Sequence, residues 1–126
     1  MNDVLLSIKP KYAAMIYAGT KTTEYRRGLP DSALYWSRIY IYESSPVRKV
    51  TGSAILSGVM HGEVDRIWRW FQKGGGISYN EYSEYMIGAF SAWALVISRI
   101  FPFAEPLPLS SFGIDRPPQS WRYFYH

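Results

Sequence analysis

Lys21, Glu24, Arg26 and Arg27 stand within seven positions of one another in the stretch GTKTTEYRRG, residues 19–28. Two kinds of chemistry use such a set. Lysine and arginine hold phosphate, while a carboxylate accepts hydrogen bonds from the amino groups of bases. A lysine whose pKa is lowered by burial or by cationic neighbours also works as a general base, although a nearby carboxylate pushes the other way. On that second reading Lys21 and Glu24 are the catalytic candidates, with Glu24 activating a water. Ser7, Lys9, Glu43 and Ser44 are of matching type and sit where neighbouring strands end. The ligand-binding candidates are therefore Ser7, Lys9, Lys21, Glu24, Arg26, Arg27, Glu43 and Ser44. Lys9, Lys21, Arg26 and Arg27 would hold phosphate; Ser7, Glu24, Glu43 and Ser44 would read a base edge. The same charges also read as plain ion pairs closing one end of a fold.

The elements that must position these residues follow from periodicity. Val4–Lys9 alternates, with Val4, Leu6 and Ile8 on a core face and Leu5, Ser7 and Lys9 on the other, so a half-buried strand is expected before Pro10. Lys11–Ala18 carries Tyr12, Met15 and Ile16 at helical spacing, and Gly19 is placed to cap it. Thr22–Arg27 reads as a strand and Leu29–Ser37 as a loop or short turn. Arg38–Glu43 is a strong strand with Glu43 on the face of Ile39 and Ile41, where a carboxylate must be paired or at a cavity mouth. A long strand over Arg48–Met60 contains Gly52 and Gly58, which mark bulges or bends. Glu63–Gln72 reads as a helix with Ile67, Trp68 and Phe71 inward, followed by Gly74–Gly76 as a flexible hinge. A short helix over Tyr79–Ile87 has Ser78 and Glu81 at capping-box spacing, and Ala92–Phe103 is a strand closed by prolines. Strands with few helices, bent at glycines, predict an α+β domain with a mostly antiparallel, partly closed barrel.

The chain has 126 residues, a single domain's worth, with a formal net charge of +4 that favours polyanionic partners. It has no cysteine and two histidines, so no disulfide, no metal site and no cofactor are expected. The N-terminal run MNDVLLSIKPK is neither a leader nor a span, which points to a cytoplasmic protein and no membrane partner. Aromatic residues make up 17% of the chain, more than a small core needs. The tail carries Arg116, Trp121, Arg122, Tyr123, Phe124 and Tyr125. Trp121 and Phe124, at i and i+3, suit an anchoring turn, whereas exposed rings beside arginines would stack on single-stranded bases. Arg66, Arg69 and Trp70 read as a surface group, Trp68 as core, and His61 as a loop histidine without a role.

Three segments in order, LLSIKPKYAAMIYAGTKTTEYRR, IYIYESSPVRKVTGSA, and SAWALVISRI with the tail LSSFGIDRPPQSWRYF, together resemble the ASCH domain of the PUA-like barrel superfamily. The resemblance implies a small PUA-like barrel flanked by short helices over residues 1–126, with a cleft between the first helix and the barrel mouth. It implies binding of RNA, single-stranded nucleic acid or a modified nucleotide or nucleoside. Some small ASCH proteins are amidohydrolases that deacylate N4-acylated cytidines, using a lysine placed like Lys21 and a threonine three residues later. Here Glu24 stands at that threonine's position, Thr22 and Thr23 are out of register, and GGGISYNEYSEY does not match the region of those enzymes' distal glutamate. The leading expectation is a nucleic-acid-binding domain. The alternatives are an amidohydrolase on acylated pyrimidine nucleosides and a regulatory module that binds protein through its aromatics.

Overall fold

The structure is a computed structural model that describes residues 3–125. Met1, Asn2 and His126, which belong to the N-terminal run and the histidine count above, lie outside the described residues. The elements are β1 (Asp3–Ile8), α1 (Pro10–Ala18), β2 (Thr23–Arg26), β3 (Arg38–Glu43), β4 (Lys49–Gly62), α2 (Val64–Phe71), α3 (Tyr79–Tyr85), β5 (Ala92–Leu107) and β6 (Trp121–Phe124). Short 3-10 turns occupy Asp31–Tyr35, Gln72–Gly74 and Leu109–Phe112. The strands form one sheet in the order β2-β5-β4-β3-β1-β6. Only β1 and β3 run parallel, and the other four pairings are antiparallel. The sheet curls into a half-barrel flanked by the helices, an α+β, PUA-like arrangement in which the bulges fall beside Gly52 and Gly58.

The parallel pair explains a departure from the expected pattern. Strands of a parallel pair are commonly covered on both faces. Val4, Leu6 and Ile8 join Ile16, Ile39, Ile41 and Leu95 in the core beneath α1. Leu5, expected on an open face, is fully buried with Tyr40, Tyr42, Val50, Ile114 and Phe124 on the other side. The chain after β5 folds back to cover that side. The tail is accordingly a strand and not an anchoring turn, with Leu6 opposite Trp121 and Asp3 opposite Phe124. Trp121 and Tyr123 pack on one core and Phe124 on the other, so the tail spends its rings on packing and leaves Arg122 and Tyr125 exposed.

β5 also runs further than predicted, through Pro102 and Pro106 to Leu107. β2 pairs with it only from Trp93 to Val96, so beyond that point one edge of β5 has no strand neighbour and tolerates residues without an N–H. Gly19 ends α1 with a left-handed φ of 81°, as its type allows. In α3, the Glu81 N–H donates to Ser78 Oγ and the Ser78 N–H donates to Glu81 Oε1, completing the expected capping box. Ile67 is buried, and Trp68 is half-buried against Tyr79 and Tyr82. Trp70 lies exposed with the Arg66 guanidinium over its ring. His61 stacks on Trp93 and bonds Ser91, apart from the charged cluster.

Candidate functional site

β2 and β6 are the two edges of the sheet, and the curl brings them together at a seam. All four side chains of β2 are buried, although the sequence reads as polar: Glu24, Tyr25 and Arg26 line the seam, while Thr23 turns toward Gly74. A buried charge needs a partner. The Glu24 carboxylate receives the Arg26 guanidinium through one oxygen, Oε2, at 2.9 Å from Nε and 2.8 Å from Nη2. Its other oxygen, Oε1, lies 3.6 Å from Lys21 Nζ. Arg26 also donates to the Ser7 carbonyl at 2.7 Å, and to the Ser120 carbonyl and hydroxyl at 3.3 and 3.1 Å. One guanidinium thus ties β1, β2 and the start of β6 together. It supplies across the seam the bonds that a continuous ladder would have made.

Lys21 sits at the turn into β2 with 3% of its surface exposed. Its ammonium donates to the Gly75 carbonyl and lies 5.4 and 5.5 Å from the ring centres of Tyr12 and Tyr25. Burial pushes its pKa below the ordinary lysine value, and Glu24 only partly offsets this. Gly74–Gly76, expected to be a hinge, is a strap clamped onto β2. The Thr22 N–H donates to the Gly74 carbonyl, and a side chain at Gly75 would stand 2.7 Å from Cε2 of Tyr25.

An open cavity of about 720 Å³ lies over this floor, large enough for one nucleotide. Ser7, Lys9, Tyr12, Lys21, Glu24, Tyr25, Arg26, Ser44, Gln119 and Ser120 line it, and Glu81, Glu84 and Tyr85 of α3 with Ile77 form the opposite wall. Six of the eight predicted ligand residues meet here. Glu43 and Arg27 do not. Glu43 is half-buried in register with Ile8 and Lys49, and it adds a little to the rise that burial imposes on the pKa of Tyr17 in α1. Arg27 lies exposed beyond the end of β2, near Gly88 and Tyr85. Arg26 is on the floor, but each of its three guanidinium nitrogens is engaged within the protein. It was expected to hold phosphate, and its guanidinium is instead spent on Glu24, Ser7 and Ser120.

The sequence reading missed Tyr12, Gln119, Ser120 and the α3 wall. The capping box located Glu81 but gave no sign of what its helix faces. Thr22 and Thr23 turn toward Gly74 and do not line the cavity, so no threonine hydroxyl faces Lys21. Among the described residues there is no cluster of three or more metal-ligating side chains, and no helix is long and apolar enough to cross a membrane.

The Tyr25 hydroxyl is buried without a hydrogen-bond partner among the described residues. Such a group costs about 1–3 kcal/mol. A Tyr25→Phe variant is therefore expected to keep or raise the thermal midpoint, and a clear fall would show that the hydroxyl has a partner.

The titrating groups predict an alkaline stability profile. Lys21 has a lower pKa folded than unfolded, so the unfolded chain binds more protons below about pH 10.4 and stability rises with pH toward that value. Burial raises Tyr17 and Tyr25 to about 12, so their contribution is lost as pH climbs from about 10 through 12. Urea midpoints measured from pH 8 to 11.5 should pass through a maximum near pH 10, and Lys21→Met should flatten the rising limb. A steady fall from pH 8 in the wild-type chain would contradict the buried lysine.

Residues 6–100 match the profile of the ASCH domain. The chain belongs to the ASCH domain family. It is 33% identical over 122 residues to an ASCH domain-containing ribonuclease of Zymomonas mobilis, covering 94% of this chain and 81% of that protein. The crystal structure of ASCH from Zymomonas mobilis superposes with a TM-score of 0.86 at 31% identity, over 98% of this chain and 87% of that one. A 29% identical match to large ribosomal subunit protein uL22 of Ureaplasma parvum covers 95% of this chain but only 38% of that protein.

Proposed function

We propose that this chain, as one domain, binds single-stranded RNA in the seam cavity. The carrying observation is the buried Lys21–Glu24–Arg26 group under an open, nucleotide-sized cavity, in a chain related to a ribonuclease. The Glu24 oxygen not held by Arg26 is placed to accept from an amino group on a base. Lys9 and Ser44 stand at the rim for phosphate, and Tyr12 offers a ring face beside them. Binding should weaken about 5-fold in Lys9→Glu, a rim residue whose replacement leaves the core intact, and the salt dependence should flatten. Equal, salt-insensitive binding by wild type and Lys9→Glu would sink this reading.

Cleavage of the bound strand is favoured by one further observation. Lys21 has a pKa lowered by burial, and its ammonium lies 3.6 Å from the Glu24 oxygen that Arg26 does not hold, giving a paired acid and base. Glu24 would take the proton of a ribose 2′-hydroxyl as its oxygen attacks phosphorus. Lys21 would give a proton to the departing 5′-oxygen, leaving a 2′,3′-cyclic phosphate. Lys21→Met and Glu24→Gln, checked for folding by circular dichroism, should each reduce cleavage at least about 100-fold. No threonine hydroxyl lines the cavity, so an amidohydrolase would have to use Lys21 with a water activated by Glu24. Release of cytidine from N4-acetylcytidine above a Lys21→Met control would favour that alternative.

A further inference from the structure

A second cavity of about 450 Å³ adjoins the first and shares Ser7, Ser44 and Gln119 with it. Arg48 stands at its far end, exposed and without an ion-pair partner among the described residues. We infer that the two cavities form one groove for a nucleic-acid strand, and that Arg48 holds the backbone phosphate next to the nucleotide lying over Lys21 and Glu24. This inference rests on the RNA reading above and specifies its ligand as an oligonucleotide of at least two units.

Charge sets the direction of the strand. The α3 wall of the first cavity carries Glu81 and Glu84, which repel phosphate. The cations lining the two cavities are Lys9, Lys21, Arg26 and Arg48. Lys21 and Arg26 are committed to Glu24 and to carbonyl groups inside the fold. Lys9 and Arg48 remain. Lys9 follows Ile8, whose carbonyl accepts from the Ser44 N–H, and Arg48 follows Val47, whose N–H donates to the Ser44 carbonyl, so the backbone runs along the Ser44 side. A guanidinium with free N–H groups binds phosphate bidentately, which neither floor cation is positioned to do.

The backbone at Arg48 adds a second, independent reason. Its φ of 54° lies in the left-handed region, where residues with a Cβ are uncommon and glycine is at ease. A residue kept there against its backbone preference directs attention to its side chain. Arg48→Gly removes the strain and the charge together, so a folding role and a binding role predict opposite outcomes for it.

The test uses 5′-phosphorylated, uncleavable 2′-fluoro-uridine mono-, di- and trinucleotides titrated into the full chain. Wild-type affinity should rise about 10-fold from one unit to three, and the salt slope should steepen by about 0.7 for each phosphate engaged. In Arg48→Gly the trinucleotide-to-mononucleotide affinity ratio should fall about 5-fold while the thermal midpoint holds or rises. An unchanged ratio in a folded Arg48→Gly, or affinity independent of length, would overturn the groove while leaving the cavity's RNA reading intact. No binding at any length would overturn both.

Discussion

A Glu24→Ala variant is expected to lose about 3–5 kcal/mol of stability, the usual cost of removing one partner from a buried ionic group. Most domains hold only about 5–15 kcal/mol in total, so this variant should lose a large share of its stability and unfold at a clearly lower urea concentration. The reason lies in what Glu24 leaves behind. Arg26 would keep its bonds to Ser7 and Ser120 but lose the one carboxylate paired with it among the described residues. Lys21, 3% exposed, would keep one carbonyl and two aromatic faces with no counter-charge. Adding Lys21→Met to Glu24→Ala should therefore recover part of the loss, because it removes the charge that became unpaired. Urea unfolding of the two variants measures both effects. A loss below about 1 kcal/mol is the behaviour of a solvated surface pair and would mean that the seam floor is wet.

Gly75→Ala is the second large effect, at about 2–3 kcal/mol. Gly75 has φ −75° and ψ −25°, ordinary helical values that alanine adopts freely, so the backbone itself raises no objection. The cost is steric. The new methyl would stand 2.7 Å from Cε2 and 2.9 Å from Cζ of Tyr25. That ring is buried and packed edge-on against Tyr82 at 4.8 Å, so moving it breaks that packing. Pushing the strap away instead would pull the Gly75 carbonyl off Lys21. Thermal unfolding should show the loss, and Tyr25→Ala in the same chain should absorb part of it. An unchanged midpoint in Gly75→Ala would mean that the glycines are the hinge their composition resembles.

That contrast marks where the sequence is readable and where it is not. Alternation and capping are local, and they located β3, the bulges at Gly52 and Gly58, and α3 with its Ser78–Glu81 box. Lys21, Glu24 and Arg26 of GTKTTEYRRG border one cavity with Ser7, Lys9 and Ser44, as strand ends that collect at a barrel mouth would, while Arg27 lies outside it. What alternation cannot carry is which distant segment covers a face. Leu5 reads as half-exposed until the chain after β5 returns over it. Arg26 reads as a phosphate ligand until Ser120, 94 residues away, takes up one side of its guanidinium. Glu43 shares a face with Ile39 and Ile41 as predicted, yet α1 lies over that face and places it beside Tyr17, outside the cavity.

If RNA enters the seam cavity, an amide-resolved NMR titration of the chain with a short uncleavable single-stranded RNA will show it. Saturable shifts are expected at residues 7–9, 21, 24–26, 44–48 and 119–120, on the segments that line the two cavities, with small changes along the far half of β5. Shifts that cluster away from those residues, or that never saturate, would contradict it.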